Sequence, residues 1–352
     1  MIKVEGPVGI YAKVLADSIS PQGVRLLTFE ISYPRIVHAE LMTHCMLAKN
    51  AASSRAIPFE KMKEQLTGRP VRFGQANPGM QDKGEDYEAL VCIDWPTGET
   101  HPRMMPAKEA WDLAKRVALR FSSAFYQSGY HKQVYNRLTE TFQMMKTVIT
   151  GTEFGNFFWL RDHDAADPTI AALARCMREA RKQSKPKLLQ PGEWHLPYVD
   201  FIRGNDGRII YGDFVPHVAP GITVAFQQFV QEGSGLEEAI KVSGARTASV
   251  SFRNVDYGVE KSEQVFERLV GDDRKHGSAM EHQATPMAEE KFTGCAYYHE
   301  NVPAFPKSWQ EGISHVDRQG QLWSGKLRGW ISYRKLIPGE NYVDNGFDAE
   351  EE

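Results

Sequence analysis

Residues 36–58 read IVHAELMTHCMLAKNAASSRAIP. His38 and His44 stand six apart, Thr43 and Cys45 flank the second histidine, and a small-residue patch, Asn50-Ala-Ala-Ser-Ser-Arg55, follows. Val37, Leu41, His44 and Ala48 recur at helical spacing, which predicts a helix with one apolar face. Asn50 to Ser54 is poor in helix formers and predicts a loop. A helix carrying His38, Glu40 and His44, and running into two serines and an arginine, holds more polar chemistry than packing needs.

Upstream, Ile10, Ala12 and Val14 alternate, SISPQG supplies a turn, and Leu27, Phe29 and Ile31 alternate again, so a β-hairpin ending at Pro34 is expected. Downstream, residues 69–106 are rich in Gly, Pro and Asp and read as an irregular excursion. A helix is predicted over 107–129, entered at Pro106, with Trp111, Ala114, Ala118, Phe121 and Phe125 as its stripe. Another covers 152–163 with Thr152 as cap, and a third opens at Asp167-Pro168. QPGEWHLPYVDF and DGRIIYGDF read as loop and hairpin, and helices follow near 236–247 and 261–271. No repeat and no Gly/Ser linker divides the chain, so one α+β domain is expected over 1–340, with irregular insertions near 69–106 and 186–235. The acidic tail 341–352 is expected to be disordered.

The 352 residues are 41% hydrophobic and 25% charged, which fits an ordinary globular chain. A net charge of -3 argues against binding polymeric nucleic acid. No stretch approaches the ~18 apolar residues of a membrane span, and MIKVEGPVGIYAK lacks a signal core, so a cytoplasmic protein is expected. Cys45, Cys92, Cys176 and Cys295 form no CxxC pair, so neither a zinc site nor a disulfide framework is expected. Cys45 reads as a small buried filler.

Arg55, Arg137 and Arg161 lie in small or apolar contexts. They suit either a phosphate or carboxylate clamp or structural ion pairs. HGSAMEH, residues 276–282, reads as a metal site, a helix cap or a plain structural turn. No GxGxxG, Walker loop, HExxH or GxSxG occurs.

Taken together, these segments resemble the flavin-dependent thymidylate synthases (ThyX), most closely the longer, phage-type members. Phe29-Glu-Ile-Ser-Tyr-Pro34 resembles the family's F-x-I-x-x-P lead. Thr43-His44-Cys45 stands where the family has R-H-R, and Asn50, Ser53 and Arg55 match later positions of that motif. Asn136-Arg137-Leu138 resembles the nucleotide-arginine segment, and Asn156-Phe-Phe-Trp-Leu-Arg161 the N-F-x-x-L-R element. GEWHLPYV and GWISYRK are similar to phage-type members. Ala248-Ser-Val-Ser251 and HGSAMEH follow the R-H-R segment here, whereas in common members their counterparts precede it, so the motif order looks circularly permuted. The resemblance spans residues 9–336.

The resemblance implies the family's α+β fold, with antiparallel sheet and helices, and a homotetramer with shared sites. It implies transfer of a one-carbon unit to C5 of a pyrimidine monophosphate. By family default this converts dUMP to dTMP, with FAD as cofactor and methylenetetrahydrofolate and NADPH as co-substrates. His44, Asn50, Asn156, Ser251, His276, Ser278 and Glu281 would contact FAD. Glu40, Ser53, Arg55, Arg137 and Arg161 would line the nucleotide, and Arg161 would stabilise charge on the ring. A phage-encoded enzyme would act in the host cytoplasm.

The departures fall on functional positions. Thr43 and Cys45 replace arginines, Ala48 a serine, Ala51 a glutamate, Ser249 the arginine of A-R-V-S, and Ala165-Ala166-Asp167 the family's H-A-Q. Each lost arginine removes a contact worth roughly 1.5–3 kcal/mol, with Lys49 and Arg246 as candidates to supply charge instead. Three readings stay open: the dUMP methylase, a paralogue that modifies C5 of dCMP or another pyrimidine by methyl, hydroxymethyl or hydroxyl transfer, and a non-catalytic nucleotide-binding homologue.

Overall fold

The computed structural model describes residues 2–78, 86–94, 103–219, 222–251, 258–288 and 309–340. The acidic tail and Cys295 lie outside them. Where one domain over 1–340 is expected from sequence, the chain packs as two compact units. Unit 1 is Met1–Asp17, Leu27–Lys185 and Ser249–Arg253; unit 2 is Ser18–Leu26, Pro186–Ala248 and Asn254–Glu352.

Unit 1 is built on a sheet. Its strands are β1 (Lys3–Glu5), β2 (Tyr11–Ile19, whose last two residues count with unit 2), β3 (Arg25–Pro34, whose first two residues count with unit 2), β4 (Ala48–Ala51) and, after the elements named next, β7 (Met144–Gly151). Their order is β1-β2-β3-β7-β4, so the expected hairpin strands lie side by side. Phe29 faces Ile149 across the antiparallel β3/β7 ladder. Nearly every residue of β3 is buried because both faces are covered. Its polar side chains are therefore paired: the hydroxyls of Thr28 and Thr150 lie 2.6 Å apart, and Glu30 accepts from the Tyr11 hydroxyl at 2.7 Å.

Between these strands run α1 (His38–Met42), α2 (Phe59–Lys63), a two-stranded ladder of β5 (Val91–Ile93) and β6 (Arg103–Met105), α3 (Ala107–Gln127) and α4 (Lys132–Tyr135); α5 (Gly155–Arg161) and α6 (Pro168–Gln183) follow β7. The helix expected from 36 is shorter than its apolar spacing predicts. Thr43 stops it, its hydroxyl donating to the Glu40 carbonyl at 2.7 Å. Ala48 is buried on β4 opposite Thr150, not on a helix face. α3 also departs from its stripe: Trp111, Ala118, Leu119 and Phe125 pack inward, whereas Phe121 is 61% exposed. Thr152 does not cap α5, which starts at Gly155. Asp167 caps α6 as expected, accepting from the Thr169 and Ile170 amides. Gly68 allows a close approach, since a Cβ there would meet the Gln143 carbonyl oxygen at 2.4 Å.

Unit 2 contains β8 (Lys187–Leu188), parallel to Ser18-Ile19, then the antiparallel β9 (Asp200–Arg203), β10 (Ile209–Ala219) and β11 (Ile222–Gln228). Two helices follow, α7 (Leu236–Ala248) and α8 (Val259–Val270), close to their expected positions. Its core gathers Leu26, Leu189, Trp194, Leu196, Ile209, Tyr211, Ile240 and Trp330. The 186–235 stretch, read from sequence as an irregular insertion, thus carries four strands and part of this core. Among the described residues no helix is long and apolar enough to cross a membrane.

Candidate functional site

In unit 1 the chain leaves α1 at Thr43, which turns His44 inward. His44 is buried with its ring edge-on to Phe157, centroids 5.0 Å apart. One turn past Phe157 on α5, Arg161 donates from Nε to His44 Nε2 at 3.0 Å and from Nη1 to Glu40 Oε2 at 3.1 Å. Burial, then the nearby Arg161 and Lys49 charges, push His44 down to about 4, so it is a neutral acceptor at pH 7. Burial and Asp167 raise the Glu40 carboxyl against the pull of Arg161. Replacing Arg161 with Gln is expected to raise the His44 pKa, without restoring 6.5 because burial remains. Titration of the His44 ring by NMR measures this; an unmoved pKa means the guanidinium does not set it.

A second polar cluster surrounds Asn136, which is fully buried at the start of a 3-10 turn, Asn136–Phe142. Its Nδ2 donates to the carbonyls of Ser54 and Ile57 at 2.8 and 2.9 Å. These two carbonyls bracket Arg55, and Arg137 directly follows the asparagine. One buried amide therefore ties the segments carrying both arginines. Ser54 donates to Glu140 at 2.6 Å, and Glu140 also takes Arg35 Nη2 at 2.9 Å. Arg55 and Arg137 themselves are exposed, and neither has an ion-pair partner among the described residues. Ser53 is exposed, its hydroxyl accepting from the Arg55 amide at 3.3 Å.

Of the expected flavin contacts in unit 1, Asn50 is half-buried on β4 opposite Val148, and Asn156 is exposed on α5. The others belong to unit 2, apart from Ser251, whose side chain lies outside the described residues. His276 and Ser278 are both exposed at a 3-10 turn, Gly277–Glu281. Glu281 accepts from Lys326 Nζ at 2.9 Å and Arg334 Nη1 at 2.6 Å. Burial alone would raise its pKa, yet these cations hold it below the usual carboxylate range. The described residues contain no cluster of three side chains able to hold a metal.

This arrangement does not fit the flavin as the resemblance places it. His44 and Glu281 are engaged by internal partners, and Thr43 and Cys45 supply no charge where the family has arginines. The expected substitutes are engaged too. Lys49 donates to the His44 carbonyl, and Arg246 forms a bidentate pair with Asp213 at 2.7 Å while also donating to the Tyr198 carbonyl. Cys45 is not a buried filler: it is exposed, because the chain has already turned out of α1, and its thiol donates to the Thr43 carbonyl.

Three polar residues escaped the sequence reading: Asn136 as a brace, and Tyr33 and Thr147 beside His38. Only strand pairing brings Tyr33 and Thr147 together across 114 residues. Asn136 stands next to a chosen arginine, but nothing local to it signals burial.

No protein-family model matches the chain, and no curated protein does. Among solved structures the chain is similar to the UMP/dUMP methylase PolB from Streptomyces cacaoi bound with 5-Br UMP, at 15% identity over 49% of this chain and 89% of that chain, with a TM-score of 0.34.

Proposed function

We propose that unit 1 binds a pyrimidine nucleoside 5′-monophosphate, with Arg55 and Arg137 on the phosphate, and that the protein transfers a one-carbon unit to C5 of the base. The observation that carries this is the pair of exposed arginines, without ion-pair partners among the described residues, carried on two segments that buried Asn136 ties together. Two guanidinium forks suit a dianionic phosphate whatever base it bears. The transfer rests on the resemblance, with dUMP as default base, dCMP as the alternative, and a homotetramer as the assembly. C5 of a uracil is a weak nucleophile, and it attacks more readily when N3 is deprotonated and negative charge rests on the ring oxygens. Arg161, held by Glu40 and His44, is the cation that would stabilise that charge. FAD, methylenetetrahydrofolate and NADPH belong to the proposal through the resemblance alone. The engagement of His44 and Glu281 favours a second reading, a nucleotide-binding homologue without transfer.

Calorimetry with dUMP, dCMP and deoxyuridine tests the binding. The nucleotides are expected to bind at least about tenfold more tightly than the nucleoside. Arg55→Ala and Arg137→Ala should each weaken nucleotide binding by about 2 kcal/mol, roughly 30-fold. Equal binding of nucleotide and nucleoside would mean the arginines hold no phosphate. Product mass after incubation with FAD, methylenetetrahydrofolate and NADPH separates the enzyme from the binding protein.

A further inference from the structure

We infer that His38 is the proton acceptor of the C5 reaction, with Tyr33 and Thr147 as the hydrogen-bond chain that orients it. The inference rests on the nucleotide reading above and assigns a role to a residue outside the family motifs quoted there. Tyr33 is fully buried on β3, and its hydroxyl lies 2.8 Å from His38 Nδ1 and 2.8 Å from Thr147 Oγ1 on β7. The Tyr33 and His38 rings stack at 6.1 Å, which fixes the imidazole plane. His38 itself is half-buried, and its Nε2 has no partner among the described residues.

The position matters as much as the chain. The charged groups that act on His38 are Arg35 just before α1, Glu140 on the Asn136–Phe142 turn and Lys49 on β4. Glu140 accepts from Ser54, next to Arg55. Lys49 donates to the carbonyl of His44, which holds Arg161. His38 thus neighbours Glu140, whose partner Ser54 precedes Arg55, and Lys49, which reaches the residue that takes Arg161. Burial, then Arg35, lower its pKa, so the ring is neutral at pH 7 and can take a proton. Burial raises the Tyr33 pKa, so the phenol keeps its hydrogen.

In the step proposed, C5 attacks the carbon of an iminium-type one-carbon donor. The C5=C6 pair forms the new C–C bond, leaving C6 electron-poor in conjugation with N1, and the donor's C=N electrons move to nitrogen. The C5 proton then leaves to His38 Nε2, its bonding pair restoring C5=C6, and the imidazole becomes imidazolium. For Nε2 to be the open acceptor, Nδ1–H donates to Tyr33 and Tyr33 donates to Thr147. The step thus requires the Nδ1–H tautomer of His38.

Nitrogen-15 NMR of the histidines, with tritium release from 5-tritiated dUMP and dCMP, tests this. His38 is expected as the Nδ1–H tautomer, with its Nε2 resonance moving on saturation with nucleotide. His38→Gln should bind nucleotide within about threefold of the native protein, but release tritium about 100-fold more slowly and without the acid limb of the pH profile. Tyr33→Phe should keep binding and shift the tautomer balance. An unmoved Nε2 resonance in a protein that binds nucleotide overturns the role of His38 alone, as does a His38→Gln variant with the native rate and profile. A native protein that binds neither nucleotide overturns the nucleotide reading and this inference with it.

Discussion

Lowering the pH from 7 towards 4 is expected to remove much of the stability of unit 2. His195 and His282 are both fully buried there. The His195 backbone pairs with Ala284, its Nδ1 lies 2.9 Å from the Ser18 hydroxyl, and its ring packs edge-on to Trp330. Burial, and then the neighbouring His282, hold His195 down at about 3. Burial holds His282 at about 4, with Glu281 opposing the shift and Lys326 adding to it. Both values lie below the ordinary 6.5 of an unfolded histidine, so the folded state binds fewer protons. Their contribution is complete above about pH 6.5 and is lost as the pH falls from there towards the folded values. Two protons give a slope of at most about 2.7 kcal/mol per pH unit, against a typical domain stability of roughly 5–15 kcal/mol. Urea melts at pH 7.5, 6 and 5, followed by tryptophan fluorescence, measure the slope. His282→Gln should cut it by about half. Equal stability at pH 7.5 and 5 would mean that these rings are not held neutral by burial.

Asn136→Leu is expected to destabilise unit 1 and to weaken nucleotide binding more than the loss of either arginine alone. The substitution keeps the branched shape, with bulkier methyls, but orphans the Ser54 and Ile57 carbonyls, at about 2–4 kcal/mol in total. Its effect on binding is indirect: both arginine-bearing segments lose the amide that ties them, so a loss of about 100-fold or more is expected. A thermal melt gives the first quantity and calorimetry with dUMP the second. A destabilised variant that binds as tightly as Arg55→Ala or better would show that the brace serves the fold and not the clamp.

Elements with a clear local signal were legible in the sequence. The 107–127 helix has strong periodicity, Asp167-Pro168 opens a helix with a capping carboxylate, and Leu27, Phe29 and Ile31 mark a strand that stops at Pro34. Each depends on interactions within a few residues, which propensity and period report. Arg161 was legible for a related reason, because a cation directly after Phe-Phe-Trp-Leu is unlike a solvated face. α1 was overextended because Ala48 continues a helical spacing yet pairs with Thr150, about a hundred residues away. No local preference contains such a partner.

The same distinction separates what each side chain is from what it can do. Which residues carry charge, which segments are periodic and which turns stop them could all be read along the chain, because these follow from side-chain chemistry and nearest neighbours. Folding in three dimensions was needed to establish that Arg55 and Arg137 share a brace, that Glu281 and Arg246 are already paired, and that His38 joins a chain through Tyr33 to Thr147. Whether a charge is free or engaged depends on groups brought within about 3 Å by long-range packing, and hydrogen-bond energy vanishes over distances that sequence spacing does not specify.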